Sequence, residues 1–352
     1  MINKRYNDYI PLINAQQLER RLMAVTHAEV SVVIAAYNAA RFIKQAIDSA
    51  LAQSLAPAEI IVVDDGSTDH TREVLARYGE RVRYFYQNNA GPGAARNRGV
   101  REARGDWVAF LDSDDFWDKN HLELLLNHAR EFPEAVLIYC GKKWVDLEGR
   151  EIQGNDKQKM FPSGWIFSDM FAGNYISTTS VVVAKKAILT EVGGFEERLK
   201  VSQDYDLWLR IAAVAPICGL PVYTLNYRRH DSNLTLQAVK MYKEDISILM
   251  EAIKMILNGK VDSRNNPRAI DIRVKMRQSF TNASVGMFHI GEYKEVRGLG
   301  WRAIRCGYAT VPLVPRWVLS WLPGRVLNHS KRVIRYWRRS DNKPDFSSSN
   351  RC

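Results

Sequence analysis

The sequence predicts an α/β fold, with a mostly parallel central sheet flanked by helices and followed by a helical C-terminal region. Three observations predict it. Apolar, β-rich runs alternate with stretches of helical periodicity from residue 30 onward, the pattern of a parallel sheet covered on both faces. Two of those runs end directly in clustered aspartates, at the strand ends where open α/β sheets collect ligands. From about Leu236 the strand pattern stops and helical patterns dominate.

Residues 1–29 read as an N-terminal extension with one short helix around Ala15–Val25. Val30–Ala36 is a compact β-rich run, and the stretch after it places Ile43, Ala46, Ile47, Ala50 and Leu51 on one helical face. Glu59–Val63 is the next apolar strand and leads into Asp64-Asp65-Gly66-Ser67-Thr68-Asp69, with a polar helix following through Tyr78. Val82–Gln87 reads as a third strand, and Asn88 to Gly93 supply turn chemistry before a helix over Ala94–Ala103. Trp107–Leu111 is a fourth strand, ending in Asp112-Ser113-Asp114-Asp115. Leu122, Leu125, Leu126 and Ala129 mark a buried helical face, and Ala135–Cys140 a fifth strand. Residues 141–175 are less regular and suit variable loops. Ser177–Ala184 resumes a strand-like pattern, Gly193-Gly194-Phe195 is a turn, and Ser202 is placed to cap a helix burying Leu207, Trp208, Ile211 and Ala212. Ile217–Arg228 is extended. The resulting division is 1–29 extension, 30–235 α/β domain and 236–352 helical region.

Composition narrows the partners. A chain of 352 residues with 46% hydrophobic residues can bury a sizeable core. Cys140, Cys218, Cys306 and Cys352 are too scattered for a metal knuckle or a small disulfide scaffold, which favours a reducing compartment. No signal peptide is expected at the N-terminus, and no apolar run reaches the roughly eighteen residues of a membrane span. The net charge of +11 is unevenly spread: between Val296 and Ser340 there are nine arginines and one lysine but no Asp or Glu. Such a segment points to an anionic partner, or else to a solvated basic face. Neither a P-loop nor a dinucleotide fingerprint is present. The basic tail lacks any zinc-finger or RNA-recognition signature, so nucleic acid is not the expected partner.

The informative constellation is Tyr37-Asn38, Asp64-Asp65, Asp112-Ser113-Asp114 and Gln203-Asp204. A single acidic loop carries little weight, because solvated acidic turns are common. Here six blocks occur in order: VSVVIAAYN, IIVVDDGSTD, GPGAARNRG, WVAFLDSDDFW, GGFEE and SQDYDLWLR. Together they closely resemble the family 2 glycosyltransferases over roughly residues 30–235. The resemblance implies the GT-A fold, with its Rossmann-like sheet, a nucleotide-sugar donor, most often UDP-linked, and a divalent cation, Mn²⁺ or Mg²⁺. It also implies inversion at the anomeric carbon of the transferred sugar.

Residue by residue, Tyr37 resembles the position that packs on the nucleotide base and Asp65 the one that hydrogen-bonds it. Asp114 is the expected direct metal ligand, with Asp112 orienting or ligating beside it, since carboxylate oxygens suit Mg²⁺ and Mn²⁺. Asp115 either joins them or caps the next segment. Arg96 resembles a donor-site arginine whose fork holds Asp112 or a phosphate oxygen. Asp204 is the expected general base, because inversion needs a carboxylate facing the acceptor hydroxyl. Many relatives carry Glu-Asp where this chain carries Gln203-Asp204, a departure that changes local charge but keeps the base. Asp206 reads as structural. Arg228, His230 and Ser232 in YRRHDSNLT resemble the downstream donor loop that meets the diphosphate, and His230 either ligates the metal or orients a phosphate.

The expected partners are therefore a nucleotide-sugar donor, a glycan or lipid-linked glycan acceptor, and an anionic membrane surface. The surface contact is assigned to 315–339, where Val326, Leu327, Val333, Ile334 and Trp337 would line one helical face and Lys331, Arg332, Arg335, Arg338 and Arg339 the other. That reading makes the protein cytoplasmic and peripheral on the inner face of the cell membrane, as in assembly of bacterial surface polysaccharides. The competing function is a non-catalytic nucleotide-sugar-binding module, which explains Tyr37 and Asp65 but does not require Asp112, Asp114 and Asp204 together.

Overall fold

The computed structural model describes residues 30–152, 160–230, 238–265, 269–289 and 292–307. The anticipated helix at Ala15–Val25, Ser232 and the 315–339 segment lie outside them. The chain divides into two compact units, one running to Asp231 and taking in Lys260–Asn265, the other comprising Ser232–Gly259 and the residues from Asn266.

The first unit is built on a mixed, mostly parallel eight-stranded sheet in the order β3-β2-β1-β4-β7-β6-β8-β5. Its strands are β1 Val30–Ala36, β2 Glu59–Asp64, β3 Arg83–Tyr86, β4 Trp107–Asp112, β5 Phe116–Trp117, β6 Leu137–Val145, β7 Val182–Lys185 and β8 Ile217–Arg228. β3, β2, β1 and β4 are parallel, as are β6 and β8, while β7 runs antiparallel between β4 and β6 and β5 runs antiparallel along β8. β1, β2 and β4 are buried almost throughout, which is why they read as continuous apolar runs rather than alternating ones.

Helices α1 Ile43–Leu51, α2 Thr71–Ala76, α3 Pro92–Glu102, α4 His121–Glu131, α5 Phe167–Ala172, α6 Lys186–Glu191 and α7 Gln203–Val214 accompany the sheet. α1 turns Ile43, Ala46, Ile47 and Ala50 inward, the face its apolar spacing predicts. α3 starts one residue after Gly91, whose φ of 101° few side chains tolerate, and Pro92 supplies a fixed φ in the first turn. Its Gly99 lies directly against Val33 of β1, with no room for a Cβ. Gly193 and Gly194 both take positive φ, 86° and 69°, as the turn reading requires. Ser202 stands at the N-cap of α7 but makes no side-chain cap bond.

Several elements depart from the sequence reading. Within the stretch read as irregular loops, β6 continues to Val145 through its pairing with β8, and α5 forms a helix that buries Phe167, Met170 and Phe171. Ser177–Ala184 divides into a 3-10 turn over Thr179–Val181 and β7, because the turn's hydroxyls are drawn to the acidic loop beside it. The two-residue β5 is too short to leave a periodic signal, and it exists through pairing with Leu225 and Asn226 of β8.

The second unit contains α8 Ala238–Leu257, α9 Ala269–His289 and α10 Tyr293–Arg305. α9 packs on both α8 and α10, burying Leu249, Met276, Phe280, Val296 and Leu299 among others. Among the described residues no helix is long and apolar enough to cross a membrane.

Candidate active site at the carboxyl ends of the strands

Strand register gathers the candidates. Ala36 of β1 lies opposite Asp64 of β2, and Ala35 opposite Asp112 of β4. The chain segments that follow β1, β2 and β4 therefore emerge side by side, bringing Tyr37, Asp65 and Asp114 to one edge. Tyr37 is 52% exposed although aromatic. Its neighbour Asn38 takes φ 49° and is held there by Ser67 Oγ on its own N–H, while its Oδ1 accepts from the Thr68 N–H at 2.8 Å.

Asp65 is almost fully buried. Its carboxylate accepts from Gln87 Nε2 and the backbone N–H groups of Ala90 and Gly91 at 2.7–2.9 Å. It therefore fixes the turn that opens α3.

Asp112 is the most heavily bonded acid of the site. Arg96 Nη2 donates to it at 2.6 Å, and the hydroxyls of Thr178 and Thr179 donate at 3.2 and 3.0 Å. Burial pushes its carboxyl upward, but the Arg96 charge and these hydrogen bonds outweigh burial and hold it below the usual range. Asp115 is buried beneath the loop, accepting from Ser180 Oγ and the Arg228 N–H. Burial first, then the charges of Asp114 and Asp112, push its carboxyl well up. Asp115 thus supports the loop from inside rather than capping the next segment. Thr178, Thr179 and Ser180 carry no sequence signal of their own, because they reach the site only through the β4–β7 pairing.

Asp114 faces outward, with its side chain 31% exposed, and its Oδ2 lies 2.9 Å from His230 Nε2. His230 stacks on Phe42 at 5.4 Å between ring centroids. Among the described residues no three His, Cys, Asp or Glu side chains form a ready-made cation cage. Asp114 and His230 nonetheless offer adjacent oxygen and nitrogen donors, a set that suits Mn²⁺ and leaves further positions for phosphate oxygens and water. The oxygens of Asp112 are instead engaged by Arg96 and the two threonines.

Arg228 departs from the expectation that it meets a diphosphate. Its side chain is fully buried, sandwiched near Phe42 and Phe116. The guanidinium donates to the carbonyls of Asp114, Asp146 and Leu147 and to Gln45 Oε1, at 2.5–3.0 Å. Its role here is to brace the acidic loop against α1 and the β6 hairpin.

Asp204 begins α7. Its Oδ1 accepts from the Tyr205 N–H at 2.8 Å, and burial pushes its carboxyl up to about 6 even though that bond and Arg96 pull the other way. Arg96 joins the two halves of the site. Besides Asp112, it faces the Gln203 amide: with that amide oriented to satisfy both ends, its oxygen accepts from Arg96 Nη1 at 3.0 Å and its nitrogen donates to Leu199 O. The neutral residue at 203 therefore keeps the contact with Arg96 without cancelling its charge. Asp206 is paired with Arg210, which also holds the Val192 and Gly194 carbonyls, a structural role. Asn97 is a residue the sequence left in the background. Its amide brackets Phe195, accepting from the backbone N–H and donating to the carbonyl at 2.8–2.9 Å, and so ties α3 to the Gly193-Gly194 turn.

A mostly parallel sheet carrying Asp112 and Asp114 at the end of β4 and an exposed tyrosine beyond β1 fits the GT-A type of glycosyltransferase. The description of glycosyl transferase family 2 matches residues 31–174. A glycosyltransferase of Rickettsia typhi is 32% identical over 226 residues, which take in 61% of this chain and 68% of that one. This chain belongs to glycosyl transferase family 2. Against other curated relatives it spans about a third of their length. Among solved structures, S. aureus TarS 1–349 in complex with UDP aligns with a TM-score of 0.56 at 18% identity, covering 86% of this chain and 91% of that one. The mannosyltransferase PcManGT from Pyrobaculum calidifontis, in complex with GDP-Man and Mn²⁺, aligns at 0.55 and 16% identity, covering 93% and 94%. At these identities the likeness shows the fold.

Proposed function

We propose that this enzyme transfers a sugar from a nucleoside diphosphate donor, UDP-linked, to a hydroxyl of a glycan or lipid-linked glycan, with inversion and with Asp204 as general base. The observation that carries the reading is the Arg96 bridge, which ties Asp112 to the start of the helix bearing Asp204. A base for an inverting transfer must lie across the reacting carbon from the departing diphosphate, and its pKa must fall near the working pH. A carboxyl pushed up to about 6 meets the second condition.

Tyr37 offers its exposed ring to the base and Asp65 its carboxylate. Asp114 and His230 would hold Mn²⁺ or Mg²⁺, which when bound offsets charge on the departing diphosphate. Asp112 is engaged by Arg96, Arg228 braces the acidic loop, and Ser232 belongs to the same downstream donor loop as His230. The UDP and GDP-Man bound to the two structural neighbours support a nucleotide-sugar donor for this chain. The acceptor reading brings with it peripheral attachment of the 315–339 segment to the anionic inner face of the cell membrane.

The test is a mass-spectrometric screen of nucleotide sugars against lipid-linked and free glycans, with and without Mn²⁺. A glycosylated product of inverted anomeric configuration is the expected result. Donor binding without transfer or hydrolysis across the panel refutes the transferase reading in favour of a binding module.

A further inference from the structure

Helix α10 buries one face and exposes much of the other. Val296, Leu299, Gly300 and Ala303, spaced three and four apart, point inward. On the opposite side lie Lys294, Gly298, Trp301, Arg302, Ile304 and Arg305, all exposed. Trp301 is 52% and Ile304 41% exposed, an unusual placement for the largest apolar side chain on a helix that already buries a complete stripe. Arg302 flanks the patch, its Nη2 reaching Met250 Sδ at 3.4 Å. The two acids of this segment do not neutralise it. Glu292 precedes the helix, and Glu295 sits at the border of the buried face in an ion pair with Lys243 at 2.7 Å.

We propose that the outer face of α10 is a docking surface for an anionic membrane. The proposal rests on the peripheral-membrane reading above and adds a folded contact to it, independent of the sugar-transfer chemistry. Amphipathic helices of this kind bind by combining apolar insertion with attraction of Lys and Arg to anionic headgroups. Tryptophan is favoured at that boundary because its ring is apolar with one polar edge. The charge pattern selects this occupant over a second copy of the chain. Two α10 faces brought together by a two-fold axis would set Lys294, Arg302 and Arg305 against their own kind. The acid-free sequence continues through Ser340 and adds Trp317, Trp321, Tyr336 and Trp337, so both chemistries continue along the chain.

The experiment is co-flotation of the full-length protein with vesicles of phosphatidylcholine alone or phosphatidylcholine mixed with phosphatidylglycerol, at low and moderate salt. Wild type is expected on the mixed vesicles only, and less so as salt shortens the range of the attraction. Lys294→Glu with Arg305→Glu should weaken that binding by more than tenfold, since each basic residue near the surface contributes about fivefold. Trp301→Glu with Ile304→Glu should also release the protein, whereas Trp301→Phe should retain binding. Circular dichroism and sedimentation confirm that each variant is folded and of unchanged mass; should the apolar variant unfold, the charge variant and Trp301→Phe still decide. If the α10 variants bind like wild type while Arg332→Ser, Arg335→Ser and Arg338→Ser together abolish binding, the α10 inference is overturned and the membrane reading stands. Absence of wild-type binding to either vesicle overturns both. A change of sedimenting mass, or loss of duplex-DNA binding, in the α10 variants without any change on vesicles assigns the face to self-association or nucleic acid and likewise overturns the inference.

Discussion

Replacing Asp204 by Asn separates catalysis from stability at one atom. The Asp204 carboxyl is raised from 3.8 to about 6 in the folded protein, so the folded state binds its proton more tightly than the unfolded chain does. Its stabilising effect is fully present below about pH 4, fades between pH 4 and 6, and is gone above that window. Converted at about 1.4 kcal/mol per pH unit, the ionised carboxylate costs the fold about 3 kcal/mol at pH 8, an upper figure because the site is partly open to solvent. Asparagine keeps the acceptor for the Tyr205 N–H and removes the charge. The variant should therefore match wild type in urea denaturation near pH 4 and exceed it by about 1–3 kcal/mol near pH 8, with EDTA present in both. In the same protein, turnover should fall by about 10²–10⁴-fold, and wild-type kcat/KM should lose activity on the acid side below about pH 6. Parallel stability curves for the two proteins would refute the burial argument. Near-wild-type turnover at saturating substrates would refute the base assignment.

Two further predictions concern the metal and the packing beneath the site. EDTA should suppress transfer and Mn²⁺ or Mg²⁺ restore it, whereas Asp114→Ala should lose the Mn²⁺-dependent gain in donor affinity measured by calorimetry; full activity of that variant in metal-free buffer would contradict the assignment. Gly99→Val should cost about 1–3 kcal/mol by overpacking, because a side chain there meets Val33 of β1; an unchanged melting temperature would mean that α3 moves away freely.

The apolar runs of β1, β2 and β4 identify themselves in the sequence because buried parallel strands have no polar face to disguise them. The same holds for Asp64-Asp65 and Asp112 to Asp115, which follow the strands immediately, and for the glycines at 91, 193 and 194, whose positive φ is a local requirement. These features depend on near neighbours in the chain, and a sequence displays near neighbours directly. What the tertiary structure decided depends on residues distant in the chain. Strand β5 exists only through β8, and Thr178, Thr179 and Ser180 serve Asp112 and Asp115 only because β7 lies against β4. Arg228 changed from a donor-loop cation into a buried brace because Phe42, Gln45, Asp146 and Phe116 converge on it from three other elements. Arg96 acquired its bridge to Gln203 in the same way. Residue type fixed which chemistry each side chain can perform, while the partners that consume or free its hydrogen bonds were chosen by packing, a many-body outcome that no local pattern encodes.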